Sequence, residues 1–335
     1  MNHIRATTLF LAAAVLVSIA AAPTTPNQDP KNLKGIVRVD GSSTVYLIAE
    51  AVAEEFSKVA PGVNVTVGMS GTGGGFKRFG NGETDISNAS RGIKKTEIEA
   101  CKSHKIEFIE LPVAFDGLTI VTNKENTWAK QLSIAQIKKI FASSGAAKTW
   151  KDVDASWPDE AIKIYSPGTD SGTFDYFKEV TVGKEGKIRS DISVSEDDNV
   201  IVRAVEGDKN AIGFFGYAYF VENQSKLNAV KVVNPKTGAA VGPSPATIED
   251  ASYAPFSRPL FIYVNKASLA KPAVAAYAAF ALENGAKLAT EVGYVKLPSV
   301  IYDRAKANLA ATKLGTQMLD ENGMERMGVL ADIYK

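Results

Sequence analysis

A chain of 335 residues has room for about two domains, and its 45% hydrophobic and 22% charged composition excludes whole-chain disorder, collagen and coiled coil. With 38 basic and 37 acidic residues the formal charge is +1, so no global field is present to recruit nucleic acid. A single cysteine, Cys101, and two histidines, at positions 3 and 104, exclude an intramolecular disulfide and a cysteine cluster, and leave little for histidine chemistry; neither metal nor cofactor is expected.

Residues 1–22 read as an export signal: Arg5 supplies the positive start, an apolar run follows, and Ala20-Ala21-Ala22 suits cleavage near Ala22. The run is short for a membrane span and no basic stop-transfer cluster follows. Cleavage would leave 37 basic and 37 acidic residues. Pro23, Pro26 and Pro30 mark residues 23–34 as a flexible leader. Cys101, alone in an exported chain, is expected to be a buried thiol.

From residue 35 short apolar runs alternate with amphipathic stretches. Residues 36–39 predict a strand, 44–59 a helix through Leu47, Ile48, Ala51, Val52 and Phe56, 63–67 a strand, and 85–88 another. The alternation predicts α/β layers around a mostly parallel sheet. Leu118–Lys124 and Leu260–Lys266 echo each other as apolar strands ending in Asn-Lys. The echo predicts one domain, 35–120 plus 260–335, interrupted by another, 121–259, with the two strands as crossing points. Chance likeness of two Val/Ile-rich strands is the competing explanation. A helical region is expected over 270–284. The aromatic run Phe214, Phe215, Tyr217, Tyr219 and Phe220 reads as core of the inserted part, and the tail 313–335 as packing on the first part.

Three segments share one design, a strand, then small hydroxyl or glycine residues, then a helix. They are Asp40-Gly41-Ser42-Ser43-Thr44, Ser70-Gly71-Thr72-Gly73-Gly74-Gly75-Phe76, and Gly168-Thr169-Asp170-Ser171-Gly172-Thr173-Phe174. Unpaired N–H groups and the macrodipole make each helix start suited to an anion, although Ser and Thr also serve as plain caps. The glycine run fits neither nucleotide template: Phe76 stands where a dinucleotide fingerprint needs glycine, and Phe76-Lys77-Arg78 does not close a P-loop. Arg91, after the strand at 85–88, could grip two oxygens of an oxyanion. It could equally be a surface arginine paired with Glu97 or Glu99.

Taken together, Asp40–Val45, Gly71–Phe76, Asp85–Arg91 and Asp170–Phe174, with the runs Ser195–Asn199 and Gly213–Tyr217, resemble the periplasmic phosphate-binding protein of the bacterial phosphate ABC transporter. The resemblance spans residues 35 to about 312. It implies a type II periplasmic-binding-protein fold, α/β, with two lobes of mixed, mostly parallel sheets joined by two hinge strands. It implies a non-enzymatic, periplasmic, monomeric receptor whose partners are inorganic phosphate and a membrane permease. Phosphate contacts would fall on Ser43, Thr44, Thr72, Gly73, Ser90 and Arg91, with Ser171, Gly172 and Thr173 opposite. The chain departs from the family pattern in two places. Ser90-Arg91 stands near the aspartate that accepts the ligand's proton, and Ser166-Pro167-Gly168 stands where an arginine precedes Ser-Gly-Thr. Asp170 and Glu196 are the candidate proton acceptors. Sulfate or molybdate is the alternative ligand class. A hydrolase using Ser171 or Thr44 would need a base, and His104, the one imidazole past residue 22, is expected at a surface helix end.

Overall fold

Burial of the apolar face of residues 43–59 against a sheet organises the first part of the chain. The computed structural model describes residues 29–335 apart from Asp170, Lys184, Glu196 and Met327. The export signal, the first residues of the leader and both candidate proton acceptors therefore lie outside the described residues. The chain runs β1 (Gly35–Gly41), α1 (Ser43–Val59), β2 (Val63–Val67), α2 (Gly71–Gly80), β3 (Ile86–Ala89), α3 (Lys95–Ser103) and β4 (Phe108–Asn123). Next come β5 (Gln131–Leu132), α4 (Ile134–Phe141), α5 (Trp150–Val153), β6 (Lys163–Ser166), α6 (Gly172–Val182), β7 (Ser193–Val194), α7 (Asp198–Glu206), β8 (Ala211–Gly216) and α8 (Tyr217–Asn223). After β9 (Leu227–Ala229), β10 (Lys231–Val233), β11 (Ala240–Val241) and α9 (Pro245–Glu249), the chain returns through β12 (Ser257–Asn265) to α10 (Pro272–Glu291), α11 (Ser299–Ala310) and α12 (Leu330–Ile333).

β1 lies parallel between β2 and β3, and β12 is antiparallel to both β3 and β4. All 16 residues of β4 are buried, and its partners change along its length. Residues 108–117 pair with β12, whereas 118–123 pair with β8 and β9. Beyond β8 lie β6 and β7, both parallel. The result is two lobes built on mixed sheets, parallel at their outer ends and antiparallel along the long strands that join them. The expected strand at 118–124 is the second half of β4, and the one at 260–266 is most of β12. The helical region expected to end at 284 continues to Glu291.

Each lobe closes on aromatic packing. Phe177 stacks on Phe214 at 3.9 Å with the edge of Phe141 at 4.7 Å, while Phe76 meets Tyr263 edge-on at 4.9 Å. Phe214 and Phe215 are core as expected, but Tyr217, Tyr219 and Phe220 are only partly buried. Cys101 is buried, which pushes its thiol up to about 11. The tail packs on β4: Gln317 N–H and Thr316 Oγ donate to the Glu110 carboxylate, and Tyr334 OH donates to its carbonyl at 2.9 Å.

The entry to β3 is fixed by charge. Buried Asp85 accepts from Arg38 N–H at 2.9 Å, and from Ser268 Oγ and Lys271 Nζ at 2.7 Å. Burial disfavours its charge, but these donors win and hold the carboxyl below its usual range. A depressed folded pKa gives stability above the unfolded value of about 3.9, lost as pH falls through the folded value. Asp85→Asn is expected to cost about 1–3 kcal/mol at pH 7, with the gap from wild type closing under acid. Thermal unfolding at pH 7 and pH 3 checks this; a gap that widens in acid contradicts it.

Candidate functional site

β1 hands over to α1 through Gly41, at φ +140°, where any side chain would run into the Asn88 carbonyl. Ser42 then caps α1, its Oγ accepting from Val45 N–H at 3.4 Å, while Ser42 N–H donates to Asn88 O at 3.0 Å. α2 is set by a buried carboxylate: Ser70 Oγ and Arg78 Nη1 both donate to Asp40 Oδ2 at 2.8 Å. Thr72 Oγ1 and Ser90 Oγ are 3.0 Å apart, and Ser90 N–H donates to Thr72 Oγ1 at 3.2 Å, which ties α2 to the end of β3. Gly71 and Gly73 face open space.

The third helix start comes from the other lobe. Ser171 caps α6, accepting from Thr173 N–H at 3.2 Å. A Cβ on Gly172 would lie 2.5 Å from Thr44 Cα and 2.6 Å from Thr44 N, so α6 abuts the start of α1 backbone to backbone. Thr44 Oγ1 donates to Gly172 O at 3.3 Å, and Ser43 Oγ donates to Asp175 Oδ2 at 3.2 Å. All three predicted loops are thus helix starts, and two of them touch across the lobes.

A cleft of about 1180 Å³ opens beside this junction. Its wall includes Ser43, Thr44, Thr72, Gly73, Ser90 and Arg91, six of the nine residues expected to contact phosphate. Among the described residues Ser171, Gly172 and Thr173 are not part of that wall; they lie at the start of α6 against α1. The Thr44 hydroxyl points its proton at the Gly172 carbonyl, and its oxygen accepts from Arg258. Asp175 and Tyr176, from the first turn of α6, also line the cleft.

Two arginines reach the wall. Arg91 lines the cleft and pairs with Glu97, one of the two partners expected for it, bidentately, Nη1 to Oε2 at 2.9 Å and Nη2 to Oε1 at 2.7 Å. Burial works against its charge, but Glu97 more than offsets this and keeps Arg91 protonated. Arg258 was not among the residues expected from the sequence. It sits on β12 opposite Asp116 of β4, donates from Nη2 to Thr44 Oγ1 at 3.0 Å, and lies 3.5 Å above the Tyr176 ring. Its Nε and Nη2 lie 3.4 Å from Asp116 Oδ2. Asp116 is buried, and burial pushes its carboxyl up against the pull of Arg258. No local signal pointed to Arg258: it is a lone charge in an apolar strand, and Asp116, its partner, lies 142 residues away in sequence. His104 is exposed at the end of α3, as expected, with Nδ1 3.1 Å from Ala100 O. Among the described residues no group of His, Cys, Asp and Glu is placed to hold a metal, and no helix is long and apolar enough to cross a membrane.

Two α/β lobes, shared strands between them and helix starts from both meeting at one cleft define the class of substrate-binding receptors with the periplasmic-binding-protein fold. The chain matches the PBP superfamily domain over residues 20–284. It is 49% identical over 308 residues to SphX of Synechococcus elongatus, covering 91% of this chain and 90% of that one. It is 43% identical over 275 residues to the phosphate-binding protein PstS of Staphylococcus haemolyticus, covering 81% and 84%. A crystal structure of a possible phosphate binding protein from Planctomyces limnophilus superposes with a TM-score of 0.81 at 47% identity, over 84% of this chain and 99% of that one. The chain therefore belongs to the PBP superfamily and, within it, to the family of SphX and PstS.

Proposed function

We propose that this protein is an exported, monomeric receptor that binds inorganic phosphate in the cleft and passes it to the membrane permease of an ABC importer. The observation that carries the reading is the meeting of three helix starts beside one cleft, with hydroxyls and an arginine on its wall. Ser43, Thr44, Thr72, Gly73, Ser90 and Arg91 frame the anion from one side. Ser171, Gly172 and Thr173 approach it from the other lobe, where α6 already abuts α1, the lobes being 35–120 with 260–335 and 121–259. The family names of the relatives agree with this ligand.

Hydrogen phosphate differs from sulfate in carrying a proton, so selection between them needs an acceptor. Asp170 and Glu196 remain the proposed acceptors, and Asp175, a carboxylate on the cleft wall, joins them. The Thr44 hydroxyl faces Arg258 and a carbonyl rather than a base, which supports binding without chemistry on the ligand.

Calorimetric titration of residues 23–335, stripped of ligand by unfolding and refolding, tests the reading. Tight phosphate binding with a far weaker sulfate response is expected. Equal affinity for sulfate would change the ligand class, and silence toward phosphate, sulfate and molybdate would overturn the reading. Arg91→Ala is expected to weaken phosphate binding roughly 10- to 100-fold, since it removes a charge-assisted hydrogen bond and leaves Glu97 facing the anion. Unchanged affinity in that variant would remove Arg91 from the site.

A further inference from the structure

Arg258 is the cation at which the elements of the cleft meet. It projects from β12 and touches the start of α1 through Thr44 Oγ1, the first turn of α6 through the Tyr176 ring, and β4 through Asp116. The Tyr176 ring is itself fixed, its hydroxyl donating to Pro255 O at 2.6 Å. The guanidinium is thus held by groups 82 residues and more away in sequence, which is the arrangement of a positioned group rather than of a mobile surface side chain.

Its charge is incompletely answered. The Arg258 side chain is 15% exposed, and its contacts with Asp116 are both 3.4 Å. Arg91 meets Glu97 at 2.7 and 2.9 Å through both terminal nitrogens. Nη1 of Arg258, in contrast, has no hydrogen bond among the described residues, although the side chain lines the cleft. Burying a guanidinium is costly unless it is paired and its donors are met, and the protein meets only part of that requirement. A doubly charged oxyanion in the cleft would supply the rest.

We propose that Arg258 is a ligand-binding residue of this receptor, donating from Nη1 to the oxyanion while its stack on Tyr176 ties the occupied site to α6. The assignment rests on the phosphate reading above. Phosphate titration of the mature chain tests it, using wild type, Arg258→Lys, Arg258→Gln and the double variant Arg258→Gln/Asp116→Asn. The double variant leaves no buried carboxylate unpaired, so it keeps the test open if the single variant folds poorly. Arg258→Gln and the double variant are expected to bind phosphate roughly 100-fold more weakly than wild type, the effect of removing one charge-assisted hydrogen bond from a closed site. Arg258→Lys, which retains charge but not the fork or the planar stack, is expected to lie between. A double variant that unfolds at the wild-type temperature yet binds phosphate within threefold of wild type would overturn the assignment and leave the phosphate reading intact. A wild-type chain that ignores phosphate would overturn the phosphate reading, and the assignment with it.

Discussion

Gly172→Ala is expected to weaken phosphate binding about 1000-fold. The added Cβ would sit 2.5 Å from Thr44 Cα and 2.6 Å from Thr44 N. Real Cβ atoms do not approach backbone so closely, so α6 and α1 must separate. Thr44 cannot yield: its carbonyl accepts from buried Tyr294 OH at 2.6 Å, and Ser42, two residues before it, is tied to Asn88 O. Moving α6 away withdraws the N–H and hydroxyl donors of residues 171–173 from the anion. Donors to a charged partner contribute about 1.5 kcal/mol or more each, and three of them make about 4 kcal/mol, close to 1000-fold. Helix propensity works the other way, since alanine is a better helix former than glycine by up to about 1 kcal/mol. Stability of the variant therefore reads the balance between this gain and the contacts of α6 with α1 that are lost. Calorimetry and thermal unfolding, each with and without phosphate, read the two effects. Wild-type affinity would mean that the contact between Gly172 and Thr44 is no part of the ligand-holding arrangement.

The parts of this site that were legible in the sequence are those whose physics is local. A strand followed by Ser, Thr or Gly and then a helical run is enough to place a helix start, and all three such segments open helices, at Ser43, Gly71 and Gly172. Arg91 and Glu97 are six residues apart, so their pairing was visible as one of two readings. The first half of β4 was not legible. Glu110, Pro112, Asp116 and Gly117 break its apolar pattern, and each charge is answered only by partners far along the chain, Asp116 by Arg258 at a separation of 142 and Glu110 by Gln317 at 207. Arg258 went unseen for the same reason, its hydrogen bond with Thr44 spanning 214 residues. Local patterns place the backbone donors of an anion site; the charges that complete it belong to the tertiary fold.

Glu110→Ala is expected to destabilise the protein by about 3–5 kcal/mol, and to lower the unfolding temperature by on the order of 10 °C. The carboxylate is buried and accepts three donors: Tyr263 OH at 2.8 Å, Gln317 N–H at 2.9 Å, and Thr316 Oγ. Tyr263 OH in turn accepts from Ile93 N–H at 3.0 Å, so one carboxylate holds β12, the entry to α3 and the C-terminal tail against β4. Truncation leaves these donors buried without acceptors, and each such group costs about 1–3 kcal/mol. The cost is reduced by a second effect. Burial pushes the Glu110 carboxyl above its usual range despite the three donors, so ionisation in the folded protein carries a penalty. A raised folded pKa contributes stability below the unfolded value, about 4.3, and that stability is lost as pH rises through the folded value. Glu110→Gln, which cannot titrate, should therefore fall further behind wild type at pH 4 than at pH 8. Chemical unfolding of both variants at the two pH values checks the sign and the size. A Glu110→Ala protein within 1 kcal/mol of wild type would mean that solvent reaches this site and answers the donors that the carboxylate now holds.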